Sequence, residues 1–343
     1  MTDDTQTLDA PRVAAYLSDK IEGFSGPIEV EKFQVGQSNP TFLLRTPAKN
    51  YVLRRKPPGV LLKSAHAVDR EFRVQSALAG TDVPVAKMHH LCEDDDVIGS
   101  MFYVMDAIDG RNHTLPTMPD VDNTRRGAVI DEMNRVLAAL HDVNIDDVGL
   151  SDYGAPGNYY ERQIGRWTKQ YRASETVDVP AMNELMERLV EQMPEDDGQR
   201  TLVHGDYRID NMMFEHDGPK CLAVLDWELS TTGHPYADLA AVIMQWQMPA
   251  NKEGRGFAGI DRHEIGVPTD AEFIAAYCER RGIGPIDNFG FYLAFNFFRM
   301  TGIIQGVLKR ALDGNASNPE RGIQMGQYVP VFANAGLQAL NKG

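Results

Sequence analysis

The segment His204-Gly205-Asp206-Tyr207-Arg208-Ile209-Asp210-Asn211 sets a carboxylate, Asp206, and a side-chain amide, Asn211, five residues apart. A second carboxylate, Asp226, follows twenty residues after Asp206 in Leu225-Asp226-Trp227-Glu228. Three short apolar runs, Thr201-Leu202-Val203, Met212-Met213-Phe214 and Leu222-Ala223-Val224-Leu225, flank these residues and read as strands around polar loops. This set suits phosphoryl transfer: one aspartate accepts a hydroxyl proton, while an amide oxygen and another carboxylate hold Mg2+ against nucleotide phosphates. Hard oxygen ligands match a hard cation. Singly, each residue is an ordinary turn former. Together, on a strand-loop-strand element, they carry the chemical reading.

The elements that must position them come from a chain of 343 residues, 43% apolar, 24% charged and 8% aromatic. That is enough apolar material for a core, and at roughly 100–200 residues per domain it predicts two lobes. The net charge of −15 excludes a long-range basic field for nucleic acid or anionic lipid, so neither is expected as a partner. No apolar stretch approaches the roughly 20 residues that span a bilayer, and MTDDTQTLDAPRV carries no secretory pattern. Cys92, Cys221 and Cys278 fit neither a disulfide framework nor a metal knuckle, and read as reduced thiols of a cytoplasmic protein.

The first hundred residues predict a short helix with Asp9 as N-cap and Pro11 just inside it. Strands follow at Ile28–Val35, Thr41–Arg45, Tyr51–Arg54, Val85–Leu91 and Met101–Met105. Ser64 reads as the cap of a helix whose apolar stripe is Ala65, Val68, Phe72 and Ala79. Links too short for crossover helices predict a five-stranded antiparallel sheet carrying one helix. Asp106 to Arg111 is a connector. Helices are expected at 122–142, 157–174, 180–192, 235–247, 269–281, 287–311 and 320–340. The fold class is therefore α+β, a small antiparallel-sheet lobe (1–105) and a larger, mainly helical lobe (106–343), with a hinge at about 105–111. The acidic runs Glu93-Asp94-Asp95-Asp96 and Glu195-Asp196-Asp197-Gly198 read as solvated turns.

With these motifs the chain resembles the aminoglycoside phosphotransferase and choline kinase superfamily, a branch of the protein-kinase-like fold. The resemblance rests on His204-Gly205-Asp206 with Asn211, on Leu225-Asp226-Trp227-Glu228, and on Gly233, Pro235 and Asp238-Leu239-Ala240. It implies ATP and Mg2+ as cofactors and an ATP-Mg2+ cleft between the lobes. Asp206 would be the catalytic, hydroxyl-orienting residue, Asn211 and Asp226 metal ligands, and Glu228 an aid to the metal. Gly36-Gln37-Ser38-Asn39 is similar to the phosphate-covering turn, Arg54 stands on the strand that normally presents a phosphate-pairing lysine, and Glu71 stands where a helix glutamate pairs with that cation. Met105 and Asp106 would form the hinge bordering adenine.

Within the superfamily the chain looks most like the kinase-like domain that precedes an acyl-CoA dehydrogenase in eukaryotic fusion proteins, and its free-standing bacterial relatives. Phe102-Tyr103-Val104-Met105-Asp106 with Gly110-Arg111, Leu140-His141 before Val148-Gly149-Leu150, and Tyr159-Tyr160-Glu161-Arg162-Gln163 before Arg166-Trp167 carry that narrower match. It implies a small-molecule hydroxyl substrate, a hydroxy acid or its CoA thioester, for whose phosphates Arg162, Arg166, Arg299 and Lys309 are candidates. Choline, sugar or aminoglycoside acceptors, or an idle nucleotide-binding module, are the alternatives. A monomer or homodimer is expected.

Two positions depart from the family pattern: Arg54 replaces lysine, exchanging a compact point charge for a planar fork, and His234 replaces an acid. Other residues read as structural. His204 is expected to bond loop carbonyls, Asp238 to fix the catalytic-loop backbone, and Phe291, Phe295, Phe297 and Phe298 to form the core face of a long helix.

Overall fold

The computed structural model describes residues 8–33, 39–57, 67–316 and 318–342. Contacts divide the chain into two compact units: Met1–His113 with Asp146–Leu150 and Arg208–Ser230, and Thr114–Ile145 with Ser151–Tyr207 and Thr231–Gly343.

The first unit begins with α1 (Ala10–Ser18), capped as expected by Asp9, which accepts the Arg12 amide at 3.1 Å. Then come β1 (Glu29–Lys32), β2 (Thr41–Arg45), β3 (Asn50–Arg55), α2 (Val68–Leu78), β4 (Met88–Cys92), α3 (Asp95–Ile98) and β5 (Phe102–Asp106). The five strands form one antiparallel sheet in the order β1-β2-β3-β5-β4, as the short links required. Alternation along β3 separates its two faces. Tyr51 and Leu53 join Val13, Leu17, Phe42 and Phe102 in one buried cluster. Arg54 turns to the opposite face.

Two local expectations change. α2 buries Val68, Glu71, Val74, Gln75 and Leu78, whereas Phe72 is half-buried and Ala79 exposed. Ala79 is the C-cap, past the end of the helix, and Phe72 sits at the edge of a face centred on Glu71, Gln75 and Leu78. Ser64 and Ala65 lie outside the described residues. Part of the first acidic run is helix rather than simple turn: Asp94 caps α3, accepting the Asp96 amide at 2.9 Å, and Gly99 closes it in the left-handed region.

After β6 (Arg111–Asn112) the chain enters the helical unit through α4 (Asn123–Asp142), α5 (Tyr159–Ser174), α6 (Pro180–Glu191) and β7 (Thr201–Val203). β8 (Met212–Phe214) and β9 (Cys221–Val224) return to the first unit and pair in the order β6-β8-β9, while β10 (Thr231–Gly233) pairs antiparallel with β7. The three strands read around the motif thus belong to two sheets. α7 (Tyr236–Trp246), α8 (Asp270–Arg280) and α9 (Phe289–Leu312) follow, and α9 buries Phe291, Phe295, Phe297 and Phe298 as expected. The expected helix 320–340 is two helices, α10 (Pro319–Gly326) and α11 (Val329–Leu340). Pro330 has no N–H for the Gly326 carbonyl and its ring crowds that turn, so the helix restarts with proline in its first turn. Cys92, Cys221 and Cys278 are buried and free. Among the described residues no helix is long and apolar enough to cross a membrane.

Candidate active site

The helical unit holds the segment carrying Asp206. β7 delivers the chain to His204, and Asp238, in the first turn of α7, accepts the backbone amides of His204 at 2.6 Å and Gly205 at 2.8 Å. Gly205 has φ +82°, a conformation costly for a residue with a Cβ. Its carbonyl accepts from Arg299 Nη2 at 3.0 Å. His204 is fully buried and its Nδ1 accepts the Asp206 amide at 3.2 Å. It therefore braces an amide of the loop. Tyr207 anchors the far end through its hydroxyl, which donates to the Met133 carbonyl at 2.8 Å. Asp238 itself meets His141 Nε2 at 3.4 Å, and His141 Nδ1 meets the Tyr277 hydroxyl at 2.6 Å. Burial alone would raise the Asp238 carboxyl, but hydrogen bonds from His141 and Gly205 hold it below the ordinary range.

The first unit holds the remaining predicted residues. Asn211 closes a short 3-10 turn before β8, and its carbonyl accepts the Leu225 amide at 2.8 Å, which ties it beside Asp226. Asp226 has φ +64°, the left-handed region that aspartate tolerates better than most side chains. Trp227 pins the turn that follows, donating from Nε1 to the Val224 carbonyl at 2.9 Å.

Facing this turn within the same unit, Arg54 places Nε 2.9 Å from Glu71 Oε2, and Nη2 2.9 Å from Asp226 Oδ1 and 3.6 Å from Glu228 Oε2. Arg55 points to the other face of the sheet, donating to Ser100 Oγ and the Ile98 carbonyl at 2.9 Å each. Of the two adjacent cations, Arg54 is thereby the one on the Glu71 face of the sheet. Glu71 also accepts from Asn39 Nδ2 at 2.8 Å and the Tyr103 hydroxyl at 3.0 Å. Burial lifts the Glu71 carboxyl above its usual value even though Arg54 and Tyr103 pull it down. Arg54 is held charged: burial opposes the cation, but Glu71, Tyr103, Asp226 and Glu228 more than compensate.

Sequence reasoning missed Tyr103. It lies directly opposite Arg54 in the β3–β5 register, and strand parity is the signal that finds it. It also placed Asn39 only in a phosphate turn, whereas the structure spends its amide on Glu71. Gly36, Gln37 and Ser38 lie outside the described residues. Met105 and Asp106 end β5, where the amides of Asp106 and Ala107 donate to the Lys87 and Asn50 carbonyls at 2.9 and 3.3 Å. Asp106 Oδ1 lies 2.6 Å from Lys49 Nζ and 2.5 Å from His89 Nε2, and these bonds outweigh burial to lower its pKa.

Asn211, Asp226 and Glu228 are all-oxygen donors, the type a hard divalent cation takes. Among the described residues no three His, Cys, Asp or Glu side chains cluster as a metal cage. A cation here would share its shell with phosphate and water, as Mg2+ commonly does. Of the other basic candidates, Arg162 is spent on the Pro156 and Gly157 carbonyls and Lys309 pairs with Asp313. A cavity of about 200 Å3 in the helical unit is lined by Tyr159, Tyr160, Arg162, Arg200, His234 and Tyr292, so Arg162 alone of the basic candidates borders it. His234, which departs from the family pattern, stacks on Tyr292 at 13° there and lies 3.4 Å from Asp197.

An antiparallel sheet with one helix beneath a buried Arg-Glu pair, followed by helices that clamp an Asp-bearing loop, is the protein-kinase-like fold. A crystal structure of a candidate aminoglycoside phosphotransferase from Ralstonia eutropha is 46% identical with TM-score 0.90, covering 98% of this chain and 99% of that one. A thermostable variant of aminoglycoside phosphotransferase APH(4)-Ia, in ternary complex with ADP and hygromycin B, shares the fold at TM-score 0.61 and 16% identity, covering 95% and 98%. Residues 29–286 match the model of the phosphotransferase enzyme family, and the chain belongs to that family. It is similar to mouse acyl-CoA dehydrogenase family member 10, 45% identical over 86% of this chain and 28% of that protein. Human acyl-CoA dehydrogenase family member 11 is 40% identical over 96% of this chain and 43% of that protein. The chain thus spans less than half the length of these relatives.

Proposed function

We propose that the protein transfers the γ-phosphoryl group of ATP, bound as its Mg2+ complex, to the hydroxyl of a hydroxy acid or its CoA thioester. The observation that carries the acceptor is the 40–45% identity to proteins named as acyl-CoA dehydrogenases, which extend well beyond the matched part. A kinase joined to an enzyme of acyl thioesters has that chemical class of substrate at hand.

Asp206 orients the acceptor hydroxyl and takes its proton as its oxygen bonds to the γ-phosphorus and the bond from that phosphorus to the bridging oxygen breaks, releasing ADP. Asp238 and Arg299 keep the Asp206 backbone in place by holding Gly205 from both sides of its peptide. Asn211 and Asp226 hold the metal, with Glu228 assisting. When bound, the metal neutralises charge on the transferring phosphate. Arg54 braces the phosphates and Glu71 positions Arg54. Gly36, Gln37, Ser38 and Asn39 cover the phosphates, and Met105 and Asp106 border adenine. With the Asp106 and Ala107 amides already engaged, adenine is read there by carbonyls and apolar contact.

The test is transfer of labelled phosphate from ATP to hydroxyacyl-CoA esters, choline and an aminoglycoside in parallel, with Asp206→Asn as control. A phosphorylated CoA ester that vanishes in the variant supports the proposal. A product formed only on choline or the aminoglycoside overturns the acceptor, and nucleotide binding without any product overturns the kinase reading.

A further inference from the structure

Arg54 does more than pair with Glu71. Its guanidinium uses two corners at once, Nε toward Glu71 Oε2 and Nη2 toward Asp226 Oδ1, each at 2.9 Å, with Glu228 Oε2 3.6 Å from the same Nη2. Arg54 and Asp226 are 172 positions apart in sequence, so this contact is a product of the fold. We propose that Arg54 is a gate on the metal position: it holds the Asp226 carboxylate until nucleotide phosphate draws the guanidinium away, so that metal enters with the nucleotide and not ahead of it. The inference rests on the reading of Asp226 as a metal carboxylate.

Three features make the hold effective. Glu71, 1% exposed, is held by hydrogen bonds from Asn39 and the Tyr103 hydroxyl and lies 2.9 Å from Arg54 Nε, so it is a fixed pivot about which the guanidinium can turn. Arg54 is 14% exposed while Asp226 is 37% exposed, which places a poorly solvated cation against a carboxylate that solvent and metal can reach. A divalent cation arriving alone at Asp226 must displace Nη2 and then sit close to a positive charge in a weakly screened setting. A phosphate removes both obstacles, because it offers the planar fork a new bidentate partner and supplies negative charge next to the metal. Lysine, with one ammonium in place of two separated donors, would satisfy Glu71 without spanning to Asp226.

The probe is Mn2+ alone, without nucleotide, followed by the loss of its free-ion paramagnetic resonance signal on titration into protein. Arg54→Lys should bind Mn2+ roughly tenfold or more tighter than wild type, about the worth of releasing one partly buried charge pair. Arg54→Lys/Asp226→Asn should lose that gain. Arg54→Gln/Glu71→Gln, which leaves no unpaired buried charge, serves if the lysine variant fails to fold, and should show the same gain. Equal Mn2+ affinity in wild type and Arg54→Lys, or no binding in either, overturns the gate. If Asp226→Asn weakens binding by the same factor in both backgrounds, the gain does not pass through Asp226 and the gate fails while the metal reading stands. If Asp226→Asn weakens binding in neither, the metal reading itself is wrong and the gate falls with it.

Discussion

Asp238 accepts the backbone amide of Gly205 at 2.8 Å from a carboxylate with no solvent exposure. The same side chain takes the His204 amide at 2.6 Å, so one buried anion fixes two successive peptides next to Asp206. Asp238→Asn turns one acceptor into a donor against these amides. It should destabilise the protein by about 1–3 kcal/mol, the range for a buried donor left unsatisfied. Thermal unfolding and turnover should both fall, and a variant with unchanged turnover would show that the clamp does not govern the loop.

Asp206→Asn removes the proposed proton acceptor but leaves the Asp238 and Arg299 contacts intact. Turnover should drop by roughly 10²–10⁴-fold, the usual share of a positioned base, with nucleotide affinity nearly unchanged. Steady-state rates and nucleotide titration in the same preparation check the two halves of this statement.

Glu71→Ala leaves Arg54 buried beside a void and strips Tyr103 and Asn39 of their shared acceptor. Breaking a buried ion pair from one side costs about 3–5 kcal/mol. Glu71→Gln, which keeps an oxygen for the donors, should cost less. Denaturant midpoints for the two variants give the comparison, and equal losses would mean that charge, not hydrogen bonding, holds the site.

Acid should weaken the fold in two stages. His141 and His234 are depressed below their ordinary pKa, first by burial and, in both, against the pull of a neighbouring aspartate. Such groups favour the neutral form when folded, so the unfolded chain binds the extra protons as pH falls below about 6.5. Stability present above that pH is lost as pH drops toward the folded values. Asp238, Asp197 and Asp106, also depressed, add a second loss below about pH 4. The melting temperature should thus decline steadily from pH 7 to pH 4. His234→Gln should flatten the upper part of that decline, and an unchanged slope would remove His234 from the account.

Much of this molecule is readable along the chain. Capping at Asp9, alternation in Thr41–Arg45 and the apolar face of the helix after Asn288 are set within a few residues of each other. The motif spacing from Asp206 through Asn211 to Asp226 is likewise local, and it pointed to phosphoryl transfer before any coordinate. Even the clamp by Asp238 follows from motif order. Where local pattern misled, the cause was also local. The stripe read for α2 ran past the C-cap at Ala79, and a long apolar pattern hid the break that Pro330 imposes.

What sequence alone could not decide is which distant groups share a charge. Arg54 and Arg55 are adjacent cations, and only the sheet register turns one to Glu71 and the other to Ser100. His204 and Asp226 look like neighbours in one motif, yet β7 pairs with β10 and β8 with β9, which separates their strands into two sheets. Helix caps and strand alternation depend on backbone geometry within a turn or two, so the sequence by itself determines them. Hydrogen-bond partners and ion pairs far apart in the chain depend on which faces are buried together, and that is decided only when the tertiary structure excludes water from one set of pairings and not from another.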